Sequence, residues 1–263
     1  MIQNHDIDYK IFGEELQYVE IELDAMETVI GEPGSFMMMD ADIQMSTILG
    51  DGSQTGNTGL LGKLMSAGKR LLVGENLFMT AFTNTGQMKR SVSFAAPYTG
   101  KIIALDLAQY DNKIIAQKDA FLCAAKGVSV GIEFQRRLGT GIFGGEGFIM
   151  QKLEGDGMAF VHAGGYVTER TLIPGEVLKI DTGCVVAYTA NIDFDIEFIR
   201  GIKNWMFGGE GLFFATLRGP GRVWIQSLPI SRLAGRLMQY GMGHRKEEGS
   251  ILGGIGNMFD GRE

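Results

Sequence analysis

The strongest constraint on how this chain can fold is that it repeats itself. Three segments, ETVIGEPGSFMMMDADI, NKIIAQKDAFLCAAKGV and EVLKIDTGCVVAYTANI, share a spacing of 7 and then 9 residues. The marked positions are Glu27, Gly34 and Ile43, then Asn112, Asp119 and Val128, then Glu176, Gly183 and Ile192. A second pattern, GENLFMTAFTNTG, GEGFIMQKLEGDG and GEGLFFATLRGPG, sets a glutamate 11 residues before a glycine: Glu75 with Gly86, Glu146 with Gly157, Glu210 with Gly221. The step from the first pattern to the second is 18 residues from Val128 to Glu146 and again from Ile192 to Glu210, but 32 from Ile43 to Glu75. Equal spacing twice, with one localised excess of 14 residues, is what a triplication followed by an insertion leaves, and a fixed period dictates architecture. The expected organisation is one β domain over residues 1–235 built of three repeats, at 8–97, 98–167 and 168–229. The insertion lies near 49–73, and 236–263 form a flexible tail.

Each unit reads as β structure. QYVEIEL, SVSFAA, KIIALDL, MAFVHA, VVAYTANIDFDIEFI and RVWIQSL are short, rich in β-branched and aromatic residues, and separated by Gly, Asp, Asn or Pro. In IDFDIEF the alternation is strict, with Ile192, Phe194, Ile196 and Phe198 on one face and Asp193, Asp195 and Glu197 on the other. The glycine pairs of LEGDG and LRGPG suit hairpin turns that need positive φ. The expected fold class is all-β: three pseudo-symmetric antiparallel units, each a small barrel or sandwich, with a short helical insertion and a C-terminal helix. In the insertion, LLGKLMSAGKRLLV sets Leu61, Leu64, Met65 and Leu72 along one stripe and Lys63, Ser66 and Arg70 along another, at helical period. SRLAGRLMQYGMG reads as the second helix.

Composition removes several function classes. There are 39 glycines among 263 residues but 5 prolines, so the glycine serves turns and bulges rather than a disordered tract rich in both. No apolar run approaches the roughly 18 residues of a membrane span. MIQNHDIDYK has neither an apolar signal core nor the Arg-rich character of a transit peptide, which points to a cytoplasmic protein. A net charge of −7 disfavours nucleic acid. Cys123 and Cys184 sit in apolar runs without CxxC spacing and read as buried reduced thiols. His5, His162 and His244 form no metal-ligand spacing. GxxxxGK[ST] is absent. The turn in IPGEVLKID is reminiscent of cupins but comes without their histidines.

KRLLVGENLF, FGGEGF, FGGEGLF and the early GEPGSFMMMD together resemble the Altered Inheritance of Mitochondria protein 24 family, over about residues 8 to 235. That resemblance implies a single domain of three pseudo-symmetric β units, similar to the trp RNA-binding attenuation protein and near the double-stranded β-helices. Fungal members are mitochondrial and linked to inner-membrane organisation; this sequence lacks their presequence, so that location is not carried over. RNA recognition does not follow from such a fold. The basic clusters Lys69 with Arg70, Arg136 with Arg137, and Arg200 with Lys203 all lie in linkers between the two patterns and read as solvated charge.

Glu75, Glu146 and Glu210 are the sharpest site candidates. Converging on a pseudo-threefold axis, they would raise one another's pKa or hold a cation; at a rim, each would brace its own glycine-rich turn. Lys63, Lys69, Arg70, Leu61, Leu64 and Leu72 could contact a partner or a membrane surface. The reading is a non-enzymatic scaffold without cofactor or resident metal, self-associating through its β edges and adaptable through its 15 methionines, Met37, Met38 and Met39 among them. The alternatives are a small-molecule or cation binder using the glutamates, and a peripheral membrane organiser using residues 60–73.

Overall fold

The computed structural model describes residues 6–49, 78–136, 148–199, 212–237 and 240. Antiparallel β structure dominates, and one helix, at 230–237, follows the last strand. Ahead of the first unit, β1 (Asp8–Phe12) pairs with the outer side of β2.

The strands then fall into three successive runs of six. The first run is β2 (Tyr18–Leu23), β3 (Thr28–Gly31), β4 (Phe36–Met39), β5 (Ile43–Leu49), β6 (Phe78–Asn84) and β7 (Arg90–Ala95). The second is β8 (Gly100–Asp106), β9 (Lys113–Gln117), β10 (Phe121–Ala125), β11 (Ser129–Arg136), β12 (Phe148–Glu154) and β13 (Met158–Gly164). The third is β14 (Val167–Leu172), β15 (Val177–Asp181), β16 (Val185–Thr189), β17 (Asp193–Ile199), β18 (Leu212–Arg218) and β19 (Gly221–Gln226). In every run the first strand pairs with the sixth and the sixth with the third, while the fourth pairs with the fifth and the fifth with the second. Each unit is therefore two three-stranded sheets. The second strand of one unit also pairs with the third strand of the next, β3 with β10 and β9 with β16. Those two junctions merge the sheets into the order β5-β6-β3-β10-β13-β8 and β11-β12-β9-β16-β19-β14, flanked by β1-β2-β7-β4 and β15-β18-β17.

Residues at matching positions of the sequence pattern do matching work. The carbonyls of Glu27, Asn112 and Glu176 accept from the N–H of Asn84, Gly155 and Gly219, each at 3.0 Å, tying the start of the second strand to the end of the fifth. Gly34, Asp119 and Gly183 are the central residues of three one-turn 3₁₀ segments that deliver the chain into the third strand. The N–H groups of Ile43, Val128 and Ile192 close a tight turn onto the carbonyls of Asp40, Ala125 and Thr189, and their side chains are buried. The spacing of 7 and 9 is thus the length of strand and turn between three fixed backbone contacts.

The turns at LEGDG and LRGPG differ from the hairpins expected. Gly155 and Gly221 do have positive φ, 144° and 154°, but β12 and β13 lie in different sheets, as do β18 and β19. The glycines turn corners between layers.

Burial follows the alternation. In β2, Val19, Ile21 and Leu23 are buried while Tyr18, Glu20 and Glu22 are half-exposed. One core, containing Val19, Phe82, Phe94, Leu105 and Phe160, fills the first two units and reaches Trp224 of the third. The other, containing Phe148, Met150, Tyr188, Leu217 and Val223, joins the second unit to the third. Phe194 stacks on Tyr188 with centroids 5.1 Å apart, on the apolar face read from IDFDIEF. Each buried ring contributes roughly 1.5–3 kcal/mol, so the units hold together as well as fold.

Candidate functional site

Glu75, Glu146 and Glu210 lie outside the described residues, as do Leu61, Lys63, Leu64, Lys69, Arg70 and Leu72. The strands flanking their segments are described, and the pairing runs to the last residue: Leu49 opposite Phe78, Arg136 opposite Phe148, Ile199 opposite Leu212. In sequence the three glutamates fall between the members of three corresponding strand pairs, β5–β6, β11–β12 and β17–β18. Among the described residues, no group of three or more His, Cys, Asp or Glu side chains is placed to hold a metal ion, and no helix is long and apolar enough to cross a membrane.

Two sheet edges stand apart. β10 and β16 are each paired on both sides and are buried along their whole length, as FLCAA and VVAYT. β4 holds the same place in the first unit but, among the described residues, is paired only with β7. Its residues Phe36, Met37, Met38 and Met39 expose 37%, 48%, 44% and 39% of their surface. At the other end, among the described residues, β15 is paired only with β18, whereas its counterparts β3 and β9 are paired on both sides. Val177 and Lys179 are exposed; Leu178, Ile180 and Asp181 are half-buried. An apolar strand with one row of N–H and C=O groups unpaired is a template for another strand.

The local shape of β4 is that of its paired counterparts. Phe36 faces Phe94 and Met38 faces Ser93, so the register shifts at Met37. The same shift occurs between Phe121 and Cys123 and between Val185 and Ala187. The residue at the bulge is buried in those two cases, Leu122 and Val186. Three consecutive methionines on their own fit a core as well as a surface; their signal lies in the comparison of FMMM with FLCAA and VVAYT.

Three titratable groups with shifted pKa values, His162, Tyr98 and Glu32, sit where the first unit meets the second. His162 on β13 is 1% exposed, and neither ring nitrogen has a partner of hydrogen-bond geometry. Its ring stands edge-on to Tyr98 with centroids 4.5 Å apart. Burial lowers its pKa to about 4, opposed in part by the Tyr98 backbone, so the imidazole is neutral near pH 7. Burial, then the charge of Asp119, pushes Tyr98 up to about 12. Glu32 is raised by the same two causes in that order, with Lys118 opposing.

Neither thiol is activated. Cys123 is buried and free, and desolvation drives its pKa well up. Cys184 is free and only half-buried, against the expectation of two buried thiols; its pKa is raised by burial and by Asp181, with Arg232 offsetting part of the rise. A protonated thiol is a poor nucleophile.

The fold and sequence can be set beside known proteins. An uncharacterised protein of Streptococcus pyogenes serotype M6 is 32% identical over 225 residues, covering 84% of this chain and 86% of the relative. A Streptococcus pyogenes protein solved by X-ray crystallography as a structural-genomics target is similar in fold, with a TM-score of 0.67 and 25% identity, over 89% of this chain and 99% of that one. The family model described as Mitochondrial biogenesis AIM24 matches residues 9–228. Expected from KRLLVGENLF and the two FGGEG motifs, and matched across all three strand runs, the assignment is that this chain belongs to the AIM24 family.

Proposed function

We propose that the protein is a non-enzymatic assembly scaffold, built of three copies of one β unit in pseudo-threefold relation and self-associating through sheet edges. The single observation that carries this is β4, whose four apolar residues are exposed while their counterparts in β10 and β16 are buried. A soluble chain gains by covering such an edge, because unpaired backbone groups and exposed apolar side chains are both satisfied by an added strand. The net charge of −7 favours protein over nucleic acid as the partner. His162, Cys123 and Cys184 are set as neutral groups rather than as general base or nucleophile.

Light scattering on the full chain eluting from a sizing column tests the reading. The wild type is expected at a multiple of the chain mass, and Met37→Lys/Met39→Lys at the mass of one chain, with the circular dichroism spectrum and melting temperature preserved. A wild type that stays at the mass of one chain up to its highest soluble concentration would overturn it.

A further inference from the structure

We infer that the β15 edge of one copy pairs antiparallel with the β4 edge of the next, in a fixed register, so that copies join head to tail. The inference rests on the self-association just proposed and names its partner and geometry.

The chain already makes this junction twice. β3 of the first unit meets β10 of the second, with Gly31 opposite Cys123 and Ile30 opposite Ala124. β9 of the second meets β16 of the third, with Ala116 opposite Ala187 and Ile115 opposite Tyr188. Three units in a row have two inner junctions and two ends left over. The leftover strands are a second strand, β15, and a third strand, β4: one of each kind that the junction requires.

Matching positions fix the register. Met38, Cys123 and Ala187 each follow the bulge and face Ser93, Phe160 and Trp224 of the sixth strand. Gly31, Ala116 and Ile180 each lie four residues beyond Glu27, Asn112 and Glu176, whose carbonyls accept the same backbone bond. Gly31 faces Cys123 and Ala116 faces Ala187, so Ile180 belongs opposite Met38 and Lys179 opposite Met39. The bulge that shapes β10 and β16 for their partners is already present in β4.

The junction is heterologous, because the two surfaces are different. Such contacts extend until the rotation per copy closes a ring, or without limit if it does not. A β4-to-β4 or β15-to-β15 contact would instead stop at a dimer.

Cysteine cross-linking distinguishes these outcomes. Residues opposite one another in an antiparallel pair have Cα atoms about 4.5–5.5 Å apart, within disulfide reach. In the full chain carrying Cys184→Ser, Met39→Cys/Lys179→Cys alters two exposed positions, and Met38→Cys/Ile180→Cys provides an independent pair in the same register. Circular dichroism and melting curves verify that each variant is folded. On mild oxidation, each double variant is expected to give a ladder of dimer, trimer and higher species on a non-reducing gel. Met39→Cys mixed with Lys179→Cys is expected to stop at dimer, and either alone to give at least tenfold less.

Besides a protein that stays a single chain throughout, four results would overturn the proposal: Met39→Cys cross-linking with itself; a disulfide within one chain; cross-linking of the off-register pair Met39→Cys with Leu178→Cys at the level of the matched pair; or multimers in light scattering without any β4–β15 cross-link. The self-association reading survives the first, third and last of these. It falls, together with the proposal, if every folded form is a single chain.

Discussion

Replacing His162 by phenylalanine should abolish a loss of stability that the wild type suffers as pH falls through the histidine range. The imidazole is 1% exposed, and no partner meets its ring nitrogens in full hydrogen-bond geometry, so taking up a proton would create a buried cation that the Tyr98 backbone offsets only in part. Its folded pKa is about 4, lowered from 6.5. Between those values the unfolded chain binds the proton and the folded chain does not, so stability falls as pH drops below 6.5 and levels off below 4. At about 1.36 kcal/mol per pH unit, the full gap corresponds to about 3 kcal/mol, of which about 2 kcal/mol develops between pH 7 and pH 4.5. Glu32 works in the opposite sense. Its folded pKa is raised, so its unfavourable contribution is relieved as pH falls through that raised value. The comparison is therefore of His162→Phe with wild type at each pH. Urea unfolding followed by circular dichroism at pH 7 and 4.5 gives that difference, and any constant packing cost of the larger ring cancels between the two conditions. The variant should gain about 2 kcal/mol on the wild type at the lower pH. A difference unchanged between the two pH values would refute a neutral buried imidazole.

Three other substitutions probe packing and backbone. Phe82→Ala removes a fully buried ring that stands edge-on to Phe94 and stacks on Phe36; a cost of about 3–5 kcal/mol should lower the melting temperature by about 10 °C in calorimetry. At Gly164 a Cβ would overlap the Leu228 carbonyl oxygen and the Tyr98 ring, so Gly164→Ala should cost about 3 kcal/mol. Gly175→Ala, at φ +84° with nothing within 4 Å, should cost only about 1 kcal/mol; urea midpoints of the pair give the ranking. The buried Asn84 amide donates to the Leu23 and Met88 carbonyls and its oxygen accepts from Gly86 N–H. Asn84→Ala strands two carbonyls and an N–H, and should cost about 3 kcal/mol in the same assay.

Much of the strand pattern was legible because each repeat marks its fixed points. Glu27, Asn112 and Glu176 open segments of one spacing, and they make one and the same backbone bond. The apolar face of IDFDIEF was legible because side chains alternate along a strand whatever its neighbours. LEGDG and LRGPG were misread as hairpins. Glycines report that the backbone must turn, while the strand that receives it is chosen by packing between sheets. The expected glutamate and amphipathic-helix positions fall outside the described residues. The three third strands differ in FMMM against FLCAA and VVAYT, but only the strand pairing shows which of them, among the described residues, has a neighbour on one side alone.

By itself the sequence determined the β class and the alternation of faces along a strand, because alternation and turn chemistry act over a few residues. Tertiary structure alone decided that the second strand of each unit joins the third strand of the next, and hence that β4 and β15 are left at the ends. Strand pairing is a contact between segments far apart in the chain. Its free energy depends on which backbone rows remain unpaired after every sheet has formed.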